Sequence, residues 1–419
     1  MVLAEGIRVL KKNNLGFVSL FTGAGGFDLG LNTAGFKSLL SVEIDDKCRS
    51  TLKLNNPNVK LSSEGDIFKL PSSNIKKEAG IKKRELTLLV GGPPCQPFSK
   101  SSYWVNSSKS RMKDPRAKCL SEYMRVVNDL LPKVVVIENV SGIGYSNKND
   151  GLNFIISKFK QINKINNTNY KPYVHIINSA DYGVPQIRKR VFIVAIRSGE
   201  KFNFPPAMFC EEELCGELNL QKYRTTWDAI GDLDSDISDA SLNVKGKWGD
   251  LLPSIPEGQN YLWHTNKMGG LSLFGWRTRY WSFLLKLSKT KPSWTITASP
   301  GPAIGPFHWK NRNLSIREMA RIQTYPDTYN FSGSNREQKK QIGNSVPPAL
   351  GELIGLEVRR QLFGSKVRRS LKLIPKLNEK SYKAERLRKV PEKYFDLIDF
   401  HNEHPGVGKG PGAKSAIKK

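Results

Sequence analysis

The chain has 419 residues, 25% charged and 38% hydrophobic, a balance that fits a soluble globular enzyme of two domains, or of one large domain with an insertion. No apolar run approaches the length of a membrane span, and Met1 to Asn14 lacks the apolar core of a signal peptide, so the expected compartment is cytoplasmic. A net charge of +28 points to a polyanionic partner, nucleic acid first.

Leu15 to Leu20 reads as a strand, Phe21-Thr22-Gly23-Ala24-Gly25-Gly26 as a tight turn, and Phe27 to Ala34 as a helix stopped by Gly35. Leu39 to Val42 is a second strand, closing on Glu43. This βαβ unit suits a nucleoside cofactor, because glycines admit a close backbone and the carboxylate accepts from ribose hydroxyls. The Gly-x-Gly-Gly spelling departs from the dinucleotide pattern and argues against NAD. Leu86 to Val90 is a third strand, followed by Gly91-Gly92-Pro93-Pro94-Cys95-Gln96-Pro97-Phe98-Ser99-Lys100. The prolines stiffen this loop at a strand's carboxyl edge, which marks Cys95 as a nucleophile rather than a packing thiol. The remaining cysteines, Cys48, Cys119, Cys210 and Cys215, have no spacing that suggests a metal site, and none is expected.

Val134 to Ile137 is the next strand, with Glu138-Asn139-Val140 at its end; Val174–Asn178 and Val191–Ile196 follow. Between these last two, alternation places Gln186, Arg188 and Arg190 of Gln186-Ile187-Arg188-Lys189-Arg190 on one face. The succession predicts an α/β fold with a mostly parallel sheet over residues 1–198. Residues 199–316 lose that rhythm and hold seven of the eight tryptophans among lysines and arginines, so they form a smaller irregular domain. An acidic block crosses 210–240. A helical pattern resumes at Ser315 to Gln323, and Gly343-Asn344-Ser345-Val346-Pro347-Pro348 leads into a helix over 349–362, so 317–364 return to the first domain. Residues 365–419 carry fifteen Lys/Arg against six Asp/Glu and read as a basic, partly disordered extension that adds non-specific affinity for nucleic acid.

In this order the motifs resemble the DNA (cytosine-5)-methyltransferases of the bacterial or archaeal restriction–modification type, over roughly 15–362. The resemblance implies a Rossmann-like, S-adenosylmethionine-dependent methyltransferase domain with a smaller DNA-recognition domain. It makes Phe21, Thr22, Gly23, Ala24, Gly25 and Gly26 the first cofactor motif, Glu43 with Ile44 the ribose contact, and Asp66-Ile67 the adenine contact. Gly92 and Pro93 before the cysteine, and Asn344, Ser345 and Val346 late in the chain, complete the cofactor set. One departure is Ser19, where the family often has an acid that supports the cofactor loop.

The resemblance also implies the chemistry. The Cys95 thiolate adds to cytosine carbon 6, which makes carbon 5 nucleophilic, and Glu138 assists at ring N3. Arg188 and Arg190 fix the base's O2 and Glu138. The basic stretch Ser99 to Lys118 closes over a base extruded from double-stranded DNA. Further expectations are a monomer at work on the nucleoid and a cognate restriction endonuclease acting on the same site without contact. Three rivals fare worse. The tRNA-modifying branch of the family carries a Cys-Phe-Thr tripeptide that is absent here. A silent DNA-binding homologue has no need for Cys95, Glu138, Arg188 and Arg190. A hydrolytic cysteine enzyme needs a partner histidine, and all five histidines lie away from these motifs in sequence.

Overall fold

The computed structural model describes residues 15–94, 115–140, 150–234, 239–277, 280–367 and 370–398. Cys95 and 96–114 of the basic loop lie outside the described residues, while Lys118 belongs to a helix rather than to a loop.

The strands of the large domain are β1 (Gly16–Leu20), β2 (Lys37–Val42), β3 (Leu88–Gly91), β4 (Val134–Val140), β5 (Lys171–Asn178) and, after the two-residue β6 (Gln186–Ile187), β7 (Lys189–Ile196). Six of them form one sheet in the order β2-β1-β3-β4-β7-β5. The first four are parallel, and β7 runs antiparallel to both β4 and β5. The mostly parallel sheet is therefore as the sequence suggests, with an antiparallel pair at one side.

Alternation along these strands feeds two cores. Val18, Leu20, Leu89, Val135, Ile137 and Ile193 pack on one face under α3 (Ser72–Ala79), α4 (Pro115–Leu130) and α5 (Asp150–Asn166). Phe17, Leu88, Val90, Val134, Val136, Phe192 and Val194 pack on the other under α1 (Gly26–Thr33) and the late helix over Pro348–Phe363. Each fully buried aliphatic side chain contributes about 1.5–3 kcal/mol, so this three-layer body is rigid enough to aim residues at its edge. The late helix begins with proline in its first turn and ends before Gly364 in the left-handed region. It lies so close to α1 that a Cβ on Gly30 would sit 2.1 Å from the Pro348 carbonyl oxygen.

α2 spans Asp46–Asn55; α6 (Cys215–Leu218) and α7 (Thr226–Ile230) lie in the irregular region, and α8 (Ile316–Ile322), α9 (Asn335–Asn344) and α10, the late helix already described, follow. The Gly343–Pro348 motif thus starts inside α9, where a turn was expected. Short pairs β8 (Phe209–Cys210) with β9 (Gln221–Lys222), and β10 (Ser293–Trp294) with β6, are the only sheet in the irregular region among the described residues. The small domain has its own core of Leu251, Leu252, Ile255, Tyr261, Phe274, Leu284 and Phe307. Trp227 and Trp309 join a different cluster with Met319, Tyr325 and Ile342, which ties the small domain to the large one.

Of the basic, partly disordered extension expected over 365–419, the described stretch from Ser370 to Ile398 is an ordered strap, and 399–419 lie outside the described residues. Lys372 and Leu373 N–H groups donate to the Glu352 carboxylate of α10 at 2.9–3.0 Å. Asn378 N–H donates to Asp228, and the Trp227 indole donates to the Lys380 carbonyl. Lys289, buried, donates to Glu257, to Glu385 and to the Lys383 carbonyl. Tyr394 then enters the small-domain core, stacked on Trp248. Leu371 at one end and Tyr394 at the other are buried apolar anchors, and they outweigh the dispersing effect of the lysines between them.

Candidate active site

The carboxyl ends of β1, β2, β3 and β4 meet at one edge of the sheet, and the predicted residues gather there. Leaving β1, the chain turns through Phe21, held at φ 55, a conformation that costs a non-glycine residue of order 1–3 kcal/mol. Thr22 donates its hydroxyl toward Ser19 and the Val42 carbonyl, which locks the turn onto β1 and β2. Gly23 follows at φ +58, and a Cβ there would meet nothing within 4 Å, so its outer side is open. Gly26 is the opposite case. A Cβ there would sit 2.2 Å from the Ser345 hydroxyl and 2.3 Å from the Val346 carbonyl, so the first and last motifs interlock. The Tyr329 hydroxyl donates to the Ala24 carbonyl at 2.6 Å and completes the seat, with Gly25 close against it.

Glu43, at the end of β2, is buried and accepts from the Gly23 N–H at 2.6 Å and the Asp45 N–H at 2.8 Å. Burial raises its pKa, and these N–H donors pull in the opposite direction. Two N–H bonds leave acceptor capacity on a carboxylate. Beside it Gly65 comes within 2.4 Å, at its Cβ position, of the Glu43 carbonyl oxygen, which brings Asp66 and buried Ile67 to the same rim. Ile44 is 66% exposed and Phe68 50% exposed, unusual for apolar residues next to a buried acid. Apolar faces, an acid with spare lone pairs and an open glycine fit a nucleoside. Asn344, exposed at the end of α9, lies next to Ser345 on this side.

The second half of the site is Glu138. Strand β4 carries it to the edge, where its side chain is 12% exposed and pairs with the Arg190 Nε at 3.1 Å. Burial raises its pKa; the Arg190 and Arg188 cations oppose the rise. Gly92 lies against it, for a Cβ there would be 3.0 Å from Glu138 Oε2. Asn139 donates its side-chain amide to the Pro93 carbonyl at 3.2 Å, and its own oxygen accepts from the Val140 N–H. The loop that leads to Cys95 is therefore stitched to the acid strand two residues before the thiol.

The Gln186-to-Arg190 stretch is not one continuous strand. It breaks at Arg188, because β6 pairs with β10 while β7 joins the main sheet. Arg188 is fully buried and donates to the carbonyls of Gly343 and Ser345 at 3.0 Å and of Ile296 at 3.4 Å. Burial lowers its pKa to about 9. Gln186 accepts from the Ile296 N–H and donates to Gln323. Of the three, Arg190 reaches Glu138; Arg188 and Gln186 clasp the small domain and α9 to the sheet.

Sequence reading missed Tyr325 and Tyr329, which brace the glycine turn from α8's far end, and Asp28 beneath it. Asp28 is buried in α1 and accepts from the Ser41 hydroxyl; burial raises its pKa from 3.8 to about 6. Among the described residues no group of His, Cys, Asp and Glu could hold a metal ion, and no helix is long and apolar enough to cross a membrane.

The family described as C-5 cytosine-specific DNA methylase matches residues 15–360. The type II methyltransferase M.SacI of Streptomyces achromogenes is 36% identical over 375 residues, covering 84% of this chain and 94% of that protein. M1.HphI of Haemophilus parahaemolyticus, also a type II methyltransferase, is 30% identical over 348 residues, 81% of this chain and 86% of the relative. The crystal structure of S. pombe Dnmt2 methyltransferase shares the fold with a TM-score of 0.55 at 16% identity, covering 83% of this chain and 98% of its own.

Proposed function

The chain belongs to the C-5 cytosine-specific DNA methylases and is a DNA cytosine-5 methyltransferase, and from that premise we propose that it methylates one cytosine within a short specific sequence of duplex DNA, using S-adenosylmethionine and a covalent Cys95 adduct. The observation that carries this reading is the junction of Gly92, Pro93 and Glu138, which sets a buried carboxyl group beside the root of the Cys95 loop.

Each residue then has a task. Cytosine inside a duplex shields its ring atoms, so the base leaves the stack to reach this edge. The Cys95 thiolate forms a bond to carbon 6, and the electrons of the 5,6 double bond become available at carbon 5. Negative charge that develops at ring N3 is met by Glu138, whose burial favours the protonated form that donates there. Arg190 holds the carboxyl group in place and supplies positive charge at the base's carbonyl side. Gly23, Glu43, Ile44, Asp66, Ile67 and Asn344 would hold the cofactor, Glu43 as acceptor for its ribose hydroxyls and the exposed Ile44 and Phe68 as apolar faces for its base. S-Adenosylmethionine, when bound, supplies an electrophilic methyl group. After carbon 5 is methylated it loses its proton to a base, the electrons re-form the ring double bond, and the thiolate leaves carbon 6.

The enzyme acts as a monomer and as the modification partner of a restriction endonuclease with the same site, in the cytoplasm of a bacterial or archaeal cell. A duplex with 5-fluorocytosine at the target position tests the chemistry, because fluorine cannot leave as the proton does and the adduct persists. Wild type yields a denaturation-resistant protein–DNA complex, and Cys95→Ser yields none. A complex that survives in C95S, or none from a wild type that methylates ordinary DNA, contradicts the Cys95 assignment.

A further inference from the structure

Among the described aromatic residues of the small domain only Tyr280, 71% exposed, and Trp281, 51% exposed, stand open to solvent, side by side in sequence. Trp281 packs edge-on against Trp294, with ring centroids 5.2 Å apart. Its backbone is pinned, since the Asn260 amide donates to the Trp281 carbonyl at 2.7 Å. Trp294 is half of β10 and pairs with Ile187 of β6; Thr295 donates to the Ile187 carbonyl at 2.8 Å. Ile187 precedes Arg190 by three residues, across the break at Arg188. The exposed pair is thus tied through Trp294 to β6, the stretch just before Arg190, the ion-pair partner of Glu138. Arg277, exposed, lies three residues before Tyr280 in sequence.

Nothing in the cytosine chemistry uses these rings, and the adjacent pair, with Trp281 packed on Trp294, offers a flat apolar face to solvent. The neighbouring cation and the net charge of +28 favour a polyanion with flat apolar faces, a description that fits nucleic acid. We propose that Tyr280 and Trp281 form a stacking surface for a nucleobase of the bound duplex next to the extruded cytosine, and so help to choose the sequence that is methylated. The proposal rests on DNA as the substrate. Stacking is sequence-tolerant in strength, so its contribution is to hold the distorted duplex in one register, where neighbouring polar groups discriminate.

The experiment measures duplex binding by fluorescence anisotropy, and methylation per site by bisulfite sequencing, for wild type, Trp281→Ala, Trp281→Phe, Tyr280→Ala and Ile165→Ala. Ile165 is an exposed residue on α5, next to Asn166, which contacts Arg84 at the opposite end of the sheet. Loss of one stacked base weakens binding roughly ten- to hundred-fold, so W281A and Y280A show that loss, with methylation spread to sites that differ by one base. W281F stays within about threefold of wild type because a ring remains, and I165A is unchanged. Cofactor affinity, measured calorimetrically, is the same in all five and shows that each variant is folded. W281A and Y280A that bind and select like wild type overturn the proposal and leave the methyltransferase reading intact. A wild type that neither binds nor methylates duplex DNA overturns both.

Discussion

At the carboxyl edge of the sheet, backbone does the positioning: Glu43 is gripped by two N–H groups, Pro93 is hydrogen-bonded to Asn139, and Gly26 and Gly92 let chains touch. The small domain has little regular structure, and at its seams with α8 and the strap side-chain charge takes over. Arg312 and Glu318 form a two-pronged buried pair at 2.7 and 2.8 Å, with His308 beside them, and Lys289 binds Glu257 and the strap's Glu385. Burial and the adjacent Arg312 drive the His308 pKa down to about 2, so it stays neutral. A frame of parallel strands fixes reacting groups through the lattice of the main chain. A recognition surface built on loops is fixed by paired charges that tolerate no missing partner.

The largest effect separates these two modes at once. Glu138→Gln removes the titrating proton while keeping the shape, and kcat falls about 10²- to 10⁴-fold with cofactor and DNA affinity nearly unchanged; a parallel loss of binding would make Glu138 a scaffold residue. Glu318→Gln strikes the other mode. It strands the buried Arg312, and denaturant unfolding shows a loss of about 3–5 kcal/mol. A change below 1 kcal/mol there would mean that apolar packing alone holds the small domain to α8. Tyr394→Ala empties a buried place in that core and frees the strap's end, at a cost of about 3 kcal/mol, read in the same assay.

Asp28→Asn gives a smaller, pH-dependent signal. The Asp28 pKa is raised from 3.8 to about 6 in the fold, so stability is complete below 3.8 and is lost as pH rises to 6, about 1.4 kcal/mol per pH unit. At pH 8 the variant is therefore more stable than wild type by about 1–3 kcal/mol, and the difference shrinks toward pH 5. A gap that is constant with pH would show that Asp28 does not titrate in this range.

The edge was readable from the sequence because its signals are local. A strand followed by Gly23 to Gly26, by Glu43 or by Glu138 announces a residue at a strand's end, and six of the observed strands coincide with apolar runs. Arg188 was read only in part. Its alternation with Arg190 is visible, but the break that turns it toward Gly343 and Ser345 depends on β10, a partner more than a hundred residues later. The strap was hidden for the same reason. Its lysines advertise solvent or DNA, while the features that dock it, Glu352, Asp228 and the pocket for Tyr394, lie far away in sequence. Asp28 could not be told from an ordinary helix-surface acid until the Ser41 contact was seen.

The most direct test of the account is methyl transfer from labelled S-adenosylmethionine to unmethylated duplex DNA, with products mapped by bisulfite sequencing. The account predicts protected cytosines confined to one short recurring sequence, and their disappearance in C95S. Label that enters DNA without protecting any cytosine at carbon 5, or that enters equally in C95S, would contradict it.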